Sequence, residues 1–168
     1  MQAVPTPRLT ALLSVVAFVF LNVSAVVFLG VSAARADTSP EGWWVTADGK
    51  AGILVAPCGA QLCGNVEWLR VPLNAAGKPK TDIHNPDASL RSRPDCGLAI
   101  LGGFTPDDGG AWHGGWVYDA ESGKTYKANM HVGDDGKLHV RGYIGFSLLG
   151  RTEIMTRPAA PLPPCARS

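Results

Sequence analysis

The sequence predicts an all-β protein: an eight-stranded antiparallel up-and-down barrel with one long loop carrying a short helix, preceded by an N-terminal signal helix. Three observations carry this. From Gly42 onward, β-type segments alternate with Gly-containing turns at short, regular spacing. No long helical period appears anywhere in that region. Ahead of it, 24 of the first 36 residues are apolar and only Arg8 and Arg35 are charged. The remaining 132 residues carry 13 basic and 14 acidic side chains with no basic run, which argues against a nucleic-acid protein or a polybasic membrane binder. That length suits one domain with a modest core.

The first element is an export signal. Arg8 precedes an apolar run over residues 9–31, and Ala34-Arg35-Ala36 offers the small residues that signal peptidase requires. Cleavage is expected after Ala36, leaving a periplasmic or secreted protein without membrane attachment. The run is also long enough to span a bilayer as an uncleaved anchor, although Asn22 and Ser24 weaken it.

Strands are expected over residues 43–46, 50–56, 62–69, 98–105, 111–118, 124–132, 137–146 and 150–157. Cys58 and Cys63 flank the turn between the second and third. A reversed chain there brings their Cβ atoms together, and export permits a disulfide pinning the turn; a redox or metal pair is the alternative. Cys96 and Cys165 are left over. They pair and tie down the tail, or stay apart because residues 158–168 form an extended, Pro-rich, disordered tail with little to pack.

One hairpin fixes its own register. Tyr126, Ala128, Met130 and Val132 must share a face with Leu138, Val140 and Ile144. Val132 then opposes Leu138 across a three-residue loop, Asp134-Asp135-Gly136, with Gly136 supplying the positive φ. His131 falls opposite His139 on the outer face, two surface imidazoles without a third metal ligand.

Residues 70–97 are too long and polar for a simple turn. Within them, residues 85–91 read as a short helix with Asn85 as N-cap, Pro86 in the first turn and Asp87 favoured by the helix dipole. Such a loop suits a lid or a recognition element.

Two resemblances follow from particular residues. Gly42-Trp43-Trp44 is similar to the Gly-x-Trp signature of lipocalins, which implies a Trp closing one barrel end beneath an Arg from the chain's end, here Arg151 or Arg157. Further motifs include Asp48-Gly49-Lys50, Pro57-Cys58-Gly59, Leu62-Cys63-Gly64, Asn85-Pro86-Asp87, Leu90-Arg91-Ser92-Arg93-Pro94, Ser122-Gly123-Lys124-Thr125-Tyr126, Arg141-Gly142-Tyr143 and Gly150-Arg151-Thr152. Together they resemble the bacterial exported family known as domain of unknown function 2147. That resemblance runs over about residues 42–157, nearly all of the barrel domain expected at 37–157, and it implies a lipocalin-like or calycin-like barrel and assigns no activity. Asp95-Cys96 and Met155 depart from the family pattern.

The functional reading is a non-enzymatic binding protein for a small, partly apolar ligand in the cell envelope. Trp44, Trp116, Tyr126 and Tyr143 would shape the site, and Arg91 and Arg93 would grip a ligand carboxylate or phosphate. Alternatively, Arg91 and Arg93 pair with Asp82 and Asp87 to hold the loop. The competing whole-protein reading is a barrel filled by its aromatic side chains, including Trp68, Trp112 and Phe146, that binds an envelope protein through the long loop. Catalysis has no candidate among Gly-x-Ser-x-Gly, His-Glu-x-x-His or phosphate-loop motifs, so an enzyme ranks third. No cofactor or metal is expected.

Overall fold

Alternating inward and outward side chains on eight short segments produce one continuous meander. The computed structural model describes residues 38–165, so the apolar segment 1–36 and cleavage after Ala36 lie outside the described residues. The strands are β1 (Gly42–Val45), β2 (Ala51–Cys58), β3 (Gln61–Leu69), β4 (Ala99–Pro106), β5 (Trp112–Asp119), β6 (Lys124–Val132), β7 (Leu138–Tyr143) and β8 (Gly150–Met155). Each pairs antiparallel with its sequence neighbour, in the order β1 to β8. The curled sheet meets itself through two hydrogen bonds, Val45 N–H to the Thr156 carbonyl at 2.8 Å and the reverse at 3.0 Å. The expected hairpin register is observed, with Val132 opposite Leu138 and His131 opposite His139. Gly136 holds φ 69° at the turn, and the two imidazoles stack with centroids 5.0 Å apart. The expected seventh strand stops early, because Gly145 at φ 71° and a 3₁₀ turn over Ser147–Leu149 turn the chain away.

One end of the barrel is filled. Trp44, Leu62, Leu101, Phe104, Met130 and Leu138 are fully buried there, each contributing roughly 1.5–3 kcal/mol by burial. Trp44 Nε1–H donates to the Pro40 carbonyl at 2.7 Å. Arg157, rather than Arg151, lies over the Trp44 ring at 3.9 Å. Its guanidinium also donates to the Glu41 and Ser39 carbonyls at 2.6 and 2.8 Å, so the chain leading into β1 and the chain leaving β8 seal the same end.

Several large aromatics that would fill a barrel sit outside this one. A Cβ on Gly52 would touch Trp43, Trp68 and Leu162, and one on Gly102 would strike the Trp116 indole. Gly52 therefore forms a slot, and the C-terminal segment lies across it. This corrects the expectation of a disordered tail: over 158–165, Leu162 covers Gly52, Cys165 N–H donates to the Glu67 carbonyl at 2.7 Å, and Cys165 bonds Cys96. Proline pre-extends the strap, and the apolar Trp43 and Trp68 surface gives it something to cover. The Cys58–Cys63 disulfide pins the β2–β3 turn as expected.

Candidate functional site

In a meander, the turns alternate between the two ends. The β1–β2, β3–β4, β5–β6 and β7–β8 connections therefore share the end opposite the Trp44–Arg157 plug. They surround a cavity of about 1400 Å³. Its inner wall is apolar, with Ile53, Val66, Leu98, Val117, Val140 and Met155, while Asp48, Lys50, Arg70, Lys80, Arg151 and Glu153 stand nearer the mouth.

The long loop is held at this mouth by a buried carboxylate. Asp82 is 1% exposed and accepts from Tyr118 Oη–H at 2.6 Å, Asn85 Nδ2–H at 2.7 Å, and Arg93 Nε and a terminal guanidinium nitrogen at 3.1 and 2.9 Å. Burial raises the Asp82 carboxyl, but hydrogen bonds from Tyr118, Asn85 and Arg93 outweigh it and leave it below the ordinary carboxylate range. Burial, followed by the bond to Asp82, pushes the Tyr118 hydroxyl up. The loop also lies against Gly123, where a Cβ would overlap the His84 carbonyl.

This network changes the roles of the expected loop residues. Asn85 is not the helix cap. It is buried, and the helix shrinks to a 3₁₀ turn over Ala88–Leu90 capped by Asp87, which accepts from Ser89 N–H at 2.9 Å. An amide facing a buried carboxylate and a phenol gains more there than at an exposed helix start. Arg93 is committed to Asp82, and Arg91 Nε donates to the Asn85 carbonyl at 2.8 Å. Of the six residues expected to contact ligand, only Tyr126 and Tyr143 line the cavity. Trp44 lies in the plug, Trp116 on the outer face, and both arginines brace the loop.

Two polar features at the cavity were not foreseen. Asp95 lines it, and its Oδ1 is the buried side-chain oxygen without a hydrogen-bond partner among the described residues. Burial and then the Asp82 charge push the Asp95 carboxyl up, against an opposing pull from Lys80. Lys50 bridges Asp48 at 2.9 Å and Glu121 at 3.3 Å, which ties the β1–β2 and β5–β6 turns. Lys50 backbone and side-chain hydrogen bonds hold the Asp48 carboxyl down to about 2. The only advance signal for Asp95 was its departure from the family pattern.

A meander barrel plugged at one end by a stacked Trp–Arg pair and hollow at the other defines the lipocalin-like class. Its fold is similar to that of protein HP1028 from the human pathogen Helicobacter pylori, which is described as belonging to the lipocalin family. The two share 20% identity and a TM-score of 0.61, over 73% of this chain and 84% of that one. The chain belongs to the family described as uncharacterized protein conserved in bacteria (DUF2147), which matches residues 42–157. No curated protein matches the sequence.

Proposed function

We propose that this protein is an exported, non-enzymatic binding protein that holds a small, partly apolar molecule in the cell envelope. The observation supporting this most directly is the cavity of about 1400 Å³ with aliphatic walls and a polar mouth. An apolar body would displace water from the partly exposed Leu69, Ile100 and Val117. A donor group on the same molecule, a hydroxyl or an amine, would satisfy Asp95 Oδ1, and Tyr126 and Tyr143 would offer aromatic contact beside it. Two disulfides engage all four cysteines, and among the described residues no helix is long and apolar enough to cross a membrane. The disulfides suit an oxidising compartment.

Native mass spectrometry of protein purified from its host's envelope tests the reading. A mass beginning at Asp37, with a discrete excess that disappears on unfolding, is the expected result. Val117→Phe, which fills the cavity, is expected to weaken binding of the apolar fluorophore N-phenyl-1-naphthylamine at least about tenfold. Bare polypeptide from every growth condition, with no fluorophore binding, would sink the ligand reading and favour a protein partner.

A further inference from the structure

The hydrogen-bonded ladder runs from β1 to β8 and then closes by a single rung. At the seam, Val45 and Thr156 exchange both backbone hydrogen bonds, at 2.8 and 3.0 Å. Residues of such a pair point their N–H and C=O groups at each other, and that direction alternates along a strand. Thr156, Ile154 and Thr152 therefore face the β1 side, while Met155, Glu153 and Arg151 face β7. The next rung would join Ile154 to Ala47. It does not form, because the Ala47 N–H donates instead to Glu153 Oε1 at 3.0 Å. Among the described residues, the backbone N–H and C=O groups of Thr152 and Ile154 thus have no hydrogen-bond partner on this side.

The fold leaves this edge uncovered. Arg141 donates to the Ser147 and Leu148 carbonyls at 2.6 and 3.1 Å, which holds the β7–β8 turn against β7 instead of over β8. The strand has a continuous register and carries no proline, lysine or bulge, devices that keep edges from pairing. Its guard is charge. Arg151 and Glu153 sit on the inner face and line the cavity, so a strand that sets like charges opposite them is rejected.

The same strand, read in reverse, sets opposite charges there. When β8 lies antiparallel to a copy of itself with Thr152 on the two-fold axis, Arg151 of each copy stands opposite Glu153 of the other, with Cβ atoms about 4.5–5.5 Å apart. Arg151 forms no salt bridge among the described residues, and the Ala47 amide takes one Glu153 oxygen and leaves the second. The two Thr152 residues exchange both hydrogen bonds across the axis. Ile154, 39% exposed, meets Gly150, which has no side chain to crowd it. Leu148 and Leu149, 88 and 77% exposed, precede Gly150 and come alongside Ile154 of the other copy.

We propose that the protein pairs with a second copy of itself edge to edge through β8, joining the two curled sheets about an isologous two-fold axis. The pairing does not depend on what the cavity holds. It uses backbone groups that the seam leaves over and a charge order that is its own complement.

Charge exchange tests the pairing on protein purified from its host. Wild type is expected to sediment as a dimer in equilibrium with monomer. Arg151→Glu and Glu153→Arg each set like charges opposite one another twice, and each is expected to raise the dimer dissociation constant at least about tenfold. An equimolar mixture of the two single variants, each folded by circular dichroism, restores opposite charges at both pairs and is expected to recover dimers. The double variant, Arg151→Glu with Glu153→Arg, is expected to dimerise by itself. Recovery on mixing separates a broken interface from a broken fold. Thr152→Pro removes an N–H that bonds nothing in the monomer, so it is expected to abolish dimers and leave the circular dichroism unchanged. In hydrogen exchange, the Thr152 and Ile154 amides should slow as the protein concentration rises. A monomer up to millimolar concentration, a dimer indifferent to Arg151→Glu, a mixture of folded single variants that stays monomeric, or protection that rises at residues 146–149 and not at Thr152 and Ile154 would each overturn the pairing.

Discussion

Replacing Asp82 with alanine tests whether one carboxylate fastens the long loop to the barrel. The wild-type side chain is fully buried and receives four hydrogen bonds from three residues. Its loss leaves the Tyr118 hydroxyl without its acceptor and the Asn85 amide with only the Tyr118 oxygen at 3.2 Å, at about 1–3 kcal/mol for a buried donor left unpaired. Breaking a wholly buried ion pair costs about 3–5 kcal/mol, but the Arg93 side chain is 40% exposed and returns its charge partly to water. We therefore expect a net loss of about 3 kcal/mol, measured by urea unfolding with the disulfides intact. In a double-mutant cycle, Tyr118→Phe and Asp82→Ala should show coupling of about 1 kcal/mol. The pH dependence has a defined sign. Because the folded carboxyl lies below its ordinary range, its stabilisation is complete above the unfolded pKa and is lost as the pH falls through the folded value. Asp82→Asn should flatten that acid limb. A loss under about 1 kcal/mol, or strict additivity with Tyr118→Phe, would refute the argument that this network holds the loop.

Three further expectations follow. Replacing Cys96 and Cys165 by serine should cost about 4 kcal/mol, and the Cys58–Cys63 pair about 2 kcal/mol, because the closed loops differ in length; the bridges span 69 and 5 residues, and a reversed order in calorimetry would contradict the chain-entropy account. Arg157→Ala should cost about 2 kcal/mol through lost stacking and two carbonyl hydrogen bonds, with Trp44 fluorescence reporting a wetter plug; unchanged stability and emission would count against that role. Asp95→Asn should raise the thermal midpoint near neutral pH. The Asp95 carboxyl is pushed up, so its ionisation lowers stability fully above the folded pKa, and the penalty fades as the pH falls from there and is gone below the unfolded value. The variant's advantage should vanish in acid, and a lower midpoint at neutrality would disprove it.

The strands were legible because period-two alternation and turn glycines are local signals. The Val132–Leu138 register followed from side-chain faces alone, and the observed pairing agrees. The site was less legible because inside and outside are decided across strands. Trp116 reads as a cavity aromatic until Gly102 and Gly103 on β4 provide an outer groove for it. The tail reads as unstructured because Gly52, Trp43 and Trp68, which receive Leu162, lie 94 to 119 residues away in sequence. Asn85-Pro86-Asp87 resembles a helix start in isolation, and the buried acceptor that claims Asn85 is evident only in three dimensions. Ile144 to Leu149 was visible as an apolar run, but its exposure depends on Arg141 bracing the turn from β7.

The seam between Val45 and Thr156 sets the order of events in folding and breathing. Every other strand pairing joins sequence neighbours, so the sheet can grow by successive hairpins with short loop closures at each step. The seam joins the two ends of the barrel segment and contributes only two backbone hydrogen bonds. Its closure comes last, and its rupture requires the least loss of structure. In native-state hydrogen exchange, the Val45 and Thr156 amides should therefore exchange earlier than those of β3 to β6, as the barrel opens along this line while the rest of the sheet remains folded.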